Sequence, residues 1–513
     1  MKGRAWIVAS EHSQVKFGAA ISYILIILDA LYGLFLTPYI LGQVGEADYG
    51  VYKTISAFTA SLMVMDLGLG GTMMRYIAKY RADKEEHKIP NFVAMGCVQT
   101  AVICGVVALV TSVLYFFVDD IYSGGLSVAE LAKAKQLFIF LALGMLAHIF
   151  QNFINGIISG YNKFIFANGI KLVRLFVRIG LIVVLLGIFK DTLALVLIDL
   201  FITVVFIIIE LLYLFTKLHV KVKLVKWEKG VFAESFVYTI LMFLTSLVAQ
   251  ANSNLSNIII GAKISSTAVT IYSMAILIYG MYQHISTSIS GVMLPTVTNS
   301  LSNDDEKYSR TVGLVSKVGR IQFLLLGAVF VGFVVLGRPF IKVWLGYGYS
   351  DVYYLTIILI GPALLELCIN VCLSILRAKN LLGFRTVVIT LSALLNLAIA
   401  FIGVRYIGYY ACAIATSVSY FIGSVLVMGI YYYKKLGINL FKLYRSIFSG
   451  IWLCIILSGA AGYAVSYLFD NALYKLLFGA CAFVAVYAVT LLVFGLNNNE
   501  KNTIFSKVRR NKK

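Results

Sequence analysis

A chain of 513 residues that is 60% hydrophobic and 13% charged, with a mean hydropathy of +0.91, is not built as a soluble globular protein; those are usually about half apolar and about a quarter charged. Five prolines, seven cysteines and the absence of low-complexity tracts exclude collagen-like, disulfide-scaffold and disordered classes. The net charge of +20 comes from 43 basic against 23 acidic residues, and the basic residues are spread over many short segments, which argues for loops facing anionic lipid and against a nucleic-acid-binding domain.

Apolar runs long enough to cross about 30 Å of hydrocarbon at about 1.5 Å per residue predict fourteen transmembrane helices. In chain order they fall at 17–41, 51–71, 92–118, 137–158, 172–189, 192–216, 232–260, 266–294, 313–336, 352–376, 386–404, 408–433, 446–469 and 473–496. Only Lys190, Asp191 and Thr192 mark the passage between the fifth and sixth, so a tight turn is expected there. The polar stretch 1–16 and the length of the first run argue against a cleaved signal, and the first run is expected to remain as structure. Counted over alternate connections, 34 Lys and Arg fall on the side of the N-terminus and nine on the other. By the positive-inside rule both termini are expected in the cytoplasm.

No connection exceeds about twenty residues, which leaves no room for an extramembrane catalytic or nucleotide-binding domain. There is no Gly-rich loop ending in Gly-Lys-Ser/Thr, no His-Glu-x-x-His and no Cys-x-x-Cys, so the residues for ATP hydrolysis or zinc chemistry are missing and no enzyme, metal or cofactor is expected. Cys368 and Cys372, four apart, read as packing residues, as do the glycines of Gly68-Leu-Gly70-Gly71.

The spacing of the runs repeats. The first begins near Phe17 and the seventh near Ser235, an offset of 218, and the same offset carries the basic turn 159–163 onto 377–381. Six spans duplicated in parallel would be related by an axis along the membrane normal. The expected fold is therefore an all-α polytopic membrane protein with an N-terminal lobe at 1–216 and a C-terminal lobe at 217–433. Two further helices and a basic tail occupy 434–513.

Thr37-Pro38-Tyr-Ile-Leu-Gly42, Gly45-x-x-x-Tyr49-Gly50-x-Tyr52, Asp66-Leu-Gly-Leu-Gly70 and Arg75-Tyr-Ile-Ala-Lys79-Tyr80 together resemble the N-terminal signature of bacterial polysaccharide-lipid flippases of the multidrug/oligosaccharidyl-lipid/polysaccharide exporter superfamily. The resemblance implies a two-lobed transporter with a central cavity. It also implies translocation of an undecaprenyl-diphosphate-linked oligosaccharide from the inner to the outer leaflet of the bacterial cytoplasmic membrane. Two alternatives stand beside it: a drug/cation antiporter of the same fold, which should prefer acidic cavity residues, and a membrane-embedded glycan polymerase, which should carry a large outside loop. Anionic membrane lipids and a glycan polymerase are the further partners expected.

A flippase must shelter a diphosphate inside the bilayer, so intramembrane cations are expected. Lys171, Arg174 and Arg178 stand at i, i+3 and i+7 on one face of the fifth predicted helix and are candidates to receive it, because guanidinium forks match phosphate oxygens. Snorkelling to the headgroups is the competing account; it is the favoured one for Lys171 and Arg174 and the weaker one for Arg178, the deepest of the three. Asp29, Asp199 and Glu366 lie inside predicted spans and are candidates to couple transport to a proton or sodium ion; static pairing with a cation is their alternative role. Sugar hydroxyls are expected to meet amides in two polar runs. One holds Gln250, Asn252, Ser253, Asn254, Ser256 and Asn257; the other holds His148, Gln151, Asn152 and Asn155. Hydrogen bonding between helices would occupy the same groups.

Overall fold

The computed structural model describes residues 2–63, 68–227, 230, 254–300, 306–378 and 381–496. All regular structure among them is helical. The chain divides into two compact units, Met1–Thr270 and Ile271–Lys513.

The first unit holds α1 (Lys2–Val44), α2 (Glu46–Met63), α3 (Leu69–Ala82), α4 (Ile89–Tyr122), α5 (Val128–Gly160), α6 (Phe164–Phe189) and α7 (Thr192–Thr216). Local chemistry sets several of these limits. Gly68 takes the left-handed conformation that begins α3. Ser127 and Glu130 form a reciprocal capping box that starts α5. Asp191 accepts from the Leu193 N–H at 3.0 Å to start α7, so the three-residue passage read from the sequence is a left-handed Lys190 followed by an N-cap. Lys133 of α5 bonds both Asp191, at 2.9 Å, and Asp48 of α2, tying three elements together.

Small residues allow close contact where side chains would not fit. A Cβ on Gly156 of α5 would lie 2.4 Å from the Gly70 carbonyl oxygen of α3, so these two helices touch backbone to backbone. Around that contact Met73, Phe92, Phe153 and Leu214 bury a core shared by α3, α4, α5 and α7.

The second unit contains most of α8 (Ser266–Ser300), then α9 (Glu306–Trp344), α10 (Ser350–Cys368), α11 (Val371–Ala378), α12 (Leu382–Ile407) and α13 (Tyr410–Leu436). It closes with α14 (Leu440–Phe448), α15 (Ile451–Tyr467) and α16 (Ala472–Gly495). Its core joins Val318, Cys368, Cys372, Met428 and Ile447; both thiols are packing residues there. π-Helical segments interrupt α6 at Ile182–Leu186 and α13 at Phe421–Val427, and a third, Leu491–Gly495, ends α16.

Among the described residues ten helices are long and apolar enough to cross a membrane, or eleven when α14 and α15, bent by 48°, count as one span. The protein is thus an all-α, multi-pass membrane protein. Three of the fourteen expected spans do not add to that number. α2 carries Glu46, Asp48 and Lys53 within 18 residues, α8 is rich in Ser, Thr and Tyr, and 232–260 lies mostly outside the described residues.

Candidate functional site

The first unit contains a pocket of about 450 Å³ lined by Asp29 of α1, His148 of α5, Lys171, Arg174 and Arg178 of α6, and Asp199 of α7, with Leu25, Ile26 and Leu175 completing the wall. Three stripes of polar side chains meet around it, each made by helical periodicity. On α6 the stripe is Lys171, Arg174, Arg178; on α5 it is His148, Gln151, Asn155, at the same i, i+3, i+7 spacing. On α7 it is Asp199, Thr203 and Glu210, where steps of four and seven residues return to nearly the same face.

Arg178 is the fifteenth residue of a 26-residue span, so it sits near mid-bilayer. Its Nε donates to Asp199 Oδ1 at 2.6 Å and its Nη2 to Oδ2 at 2.7 Å. This is a bidentate fork whose two partners keep 28% and 32% of their side-chain surface open. The guanidinium also lies 5.1 Å from the ring centre of Tyr32 on α1. Arg174 is held differently. Nη1 donates to Gln151 Oε1 at 2.6 Å, while Nη2 donates to Thr203 Oγ1 at 2.7 Å and faces His148 Nε2 at 3.3 Å. Its direct partners are side chains that need carry no charge.

Gln151 then passes the contact on, donating from Nε2 to Glu210 Oε1 at 3.2 Å, and Asn155 Nδ2 lies 3.2 Å from both Glu210 oxygens. Glu210 is 1% exposed, so its carboxylate reaches the pocket only through these amides. Lys171 is exposed and Asp29 is exposed; neither makes an ion pair among the described residues. The pocket therefore offers one cation already neutralised, one held by polar side chains, and one open at its rim. Lys53 of α2 lies 5.3 Å and 5.9 Å from the ring centres of Tyr49 and Tyr52.

Lys171, Arg174, Arg178, Gln151, Asn155, Asp29 and Asp199 are thus brought into one neighbourhood. Asn254 and Asn257 lie on the helical stretch 254–263 and do not line this pocket; Asn254 Nδ2 and Asn257 Oδ1 are buried without a hydrogen-bond partner. Gln250, Asn252, Ser253 and Asp66 lie outside the described residues. Glu366 belongs to the second unit, on α10, where the Tyr420 hydroxyl donates to it at 3.4 Å. Three participants escaped the sequence reading: Glu210, Thr203 and Tyr32. The signal for Glu210 was its position eleven residues from Asp199, three helical turns along the same face.

No curated protein matches the chain in sequence, whereas its fold has clear counterparts among solved structures. The inward closed conformation of the lipid II flippase MurJ superposes with a TM-score of 0.69 at 15% identity, covering 93% of this chain and 98% of that one. An inward-facing multidrug resistance transporter of the MATE family gives 0.55 at 15% identity, with 82% and 99% covered. A MOP superfamily transporter from Pyrococcus furiosus gives 0.50 at 14%, with 84% and 94% covered. The chain is a multi-pass membrane protein with the fold of the MOP superfamily. It belongs to the family of polysaccharide biosynthesis proteins, whose profile matches residues 16–301, more than half of its length.

Proposed function

We propose that the protein is a flippase. It carries an undecaprenyl-diphosphate-linked oligosaccharide from the inner to the outer leaflet of the bacterial cytoplasmic membrane, by alternating access and for cell-surface polysaccharide synthesis. Both termini lie in the cytoplasm on this proposal, as the excess of basic residues on their side favours. The observation that carries it is the face of Lys171, Arg174 and Arg178 lining a pocket inside the membrane. Family membership supports the polysaccharide pathway, and a lipid II flippase shares the fold.

Charge is handed over in order. The diphosphate first meets Lys171, whose ammonium makes no ion pair among the described residues. Arg174, held by Gln151 and Thr203, presents its remaining N–H groups to the phosphate oxygens. Deeper in, the phosphate competes with Asp199 for the fork of Arg178. Asp199, once displaced, takes up a proton or sodium ion, and the return of that ion accompanies release. Asp29, which also lines the pocket, is a second carboxylate available for coupling. No covalent bond is made or broken in the cycle.

Reconstitution into liposomes with a labelled polyprenyl-diphosphate glycan tests this by counting label in the outer leaflet with and without an imposed ion gradient. Lys171→Gln and Arg174→Gln are each expected to lower the rate about tenfold or more, since one charge-assisted hydrogen bond is worth roughly 1.5–3 kcal/mol. Unchanged transport by Arg178→Ala, or export of lipophilic cations in place of the glycan, removes the proposal.

A further inference from the structure

The last turn of α13 and the short helix α14 carry a second cationic cluster, far along the chain from the pocket. α14 is nine residues long and amphipathic. One face is seated on the bundle: Leu443 and Ile447 are buried, and Phe448 packs on Phe323 with ring centres 4.4 Å apart. The other face is open. Phe441 is 80% exposed, with Lys442 and Arg445 beside it on the same side of the helix. Across the link 437–439, Tyr433, Lys434 and Lys435 are also exposed. None of these four cations makes an ion pair among the described residues.

The position of α14 is fixed by a buried arginine. Arg320 of α9 donates through Nη1 to the carbonyls of Ser446 and Ser449, at 2.9 Å and 3.0 Å, and through Nη2 to the Gly495 carbonyl at 3.0 Å. The first two are carbonyls at the C-terminal end of α14, which a cation both hydrogen-bonds and favours through the helix dipole. The third is the last residue of α16. Gly450, at the bend between α14 and α15, approaches the Phe494 carbonyl so closely that a Cβ would lie 2.9 Å away. The bend therefore sits level with the end of the final 24-residue span, and α14 continues past that level, at the edge of the hydrocarbon.

We infer that α14 and the end of α13 bind the headgroups of anionic phospholipids. Four cations supply the charge complement to lipid phosphates, and Phe441 and Tyr433 supply apolar and aromatic surface for the interface. Arg320 holds the helix so that this face stays turned to the membrane, which a basic loop lying loose beside the bilayer would not need.

Native mass spectrometry of the purified full chain in detergent, titrated with dioleoyl phosphatidylglycerol and with the matching phosphatidylcholine, tests this. Phosphatidylglycerol should be retained in preference. The pair K442Q/R445Q should weaken its retention on the order of 25-fold, about fivefold for each cation, which corresponds to the ~1 kcal/mol that a Lys or Arg gains at an anionic surface. Phosphatidylcholine retention should not change. The charge-preserving pair K442R/R445K should restore binding, and K221Q/K223Q in the separate basic segment should behave as wild type. Full retention of phosphatidylglycerol by K442Q/R445Q, equal retention of the two lipids by the wild type, or displacement by inorganic pyrophosphate at concentrations comparable to the lipid would each overturn the assignment.

Discussion

Arg178 and Asp199 answer to two demands, and the two separate experimentally. A half-buried ion pair in a membrane protein stabilises less by its attraction than it costs when one partner is left alone. Arg178→Met should therefore lower stability by about 2 kcal/mol, between the exposed and fully buried limits, because Asp199 loses both of its bonds to the guanidinium. Arg178→Met/Asp199→Leu should recover most of that loss, measured as folded protein surviving a heating series in detergent, yet remain inactive in transport. Recovery of transport together with stability would make the pair structural only. At this scale the sequence was informative about stripes and silent about partners. Helical spacing alone gathered Lys171, Arg174 and Arg178, and gathered His148, Gln151 and Asn155, though it also placed with them Asn152, which is exposed and does not line the pocket. Which stripe faces which depends on how α5, α6 and α7 pack, so the fork between Arg178 and Asp199 and the relay from Arg174 through Gln151 to Glu210 were not legible. Glu210 was hidden further by its surroundings, as a lone acid in a long apolar run.

Helix limits were legible where a single residue dictates them. The span 192–216 was read to the residue because Asp191 is both the polar break and the N-cap. Burial acts against ionisation of Asp191, but the Leu193 N–H and the Lys133 ammonium outweigh it and hold the carboxyl below the ordinary aspartate range. A lowered value means that the ionised group contributes stability above the ordinary aspartate pKa, and that this is lost as pH falls through the lowered one. Asp191→Ala should cost about 1 kcal/mol at neutral pH, the usual worth of an N-cap, and its deficit against wild type should narrow in melts taken toward pH 3. A deficit that stays constant with pH would assign the whole effect to the neutral cap. Breaks inside apolar runs were not legible. The runs 51–71, 352–376 and 446–469 each read as one helix, yet the structure separates α2 from α3, α10 from α11, and α14 from α15. In the last case the cause lies in another helix, since Arg320 draws off the Ser446 and Ser449 carbonyls at the break. The π-turn after Arg178 likewise depends on a distant residue: the Tyr39 hydroxyl donates to the Val183 carbonyl at 2.7 Å.

For the molecule as a whole, composition decided the solvent and hydropathy decided most of the spans, because each span must satisfy its own backbone and so announces itself in sequence. The runs 51–71 and 266–294 are expected to span on the same reading, but α2 and α8 are too polar to pass that test. The distribution of basic residues predicts the orientation. A fluorescent-protein fusion at the C-terminal end should fluoresce in cells, and an alkaline phosphatase fusion at the same point should be inactive; an active phosphatase would invert the membrane topology. The fork of Arg178 has one more consequence at this scale. The cytosol is crowded with nucleotides and free phosphate, all of them fit to seize a bare guanidinium. On the proposed function, the engagement of this deepest cation with its own carboxylate guards the idle carrier against such abundant competitors, and a substrate anchored by its lipid tail, held at high local concentration, is what breaks it.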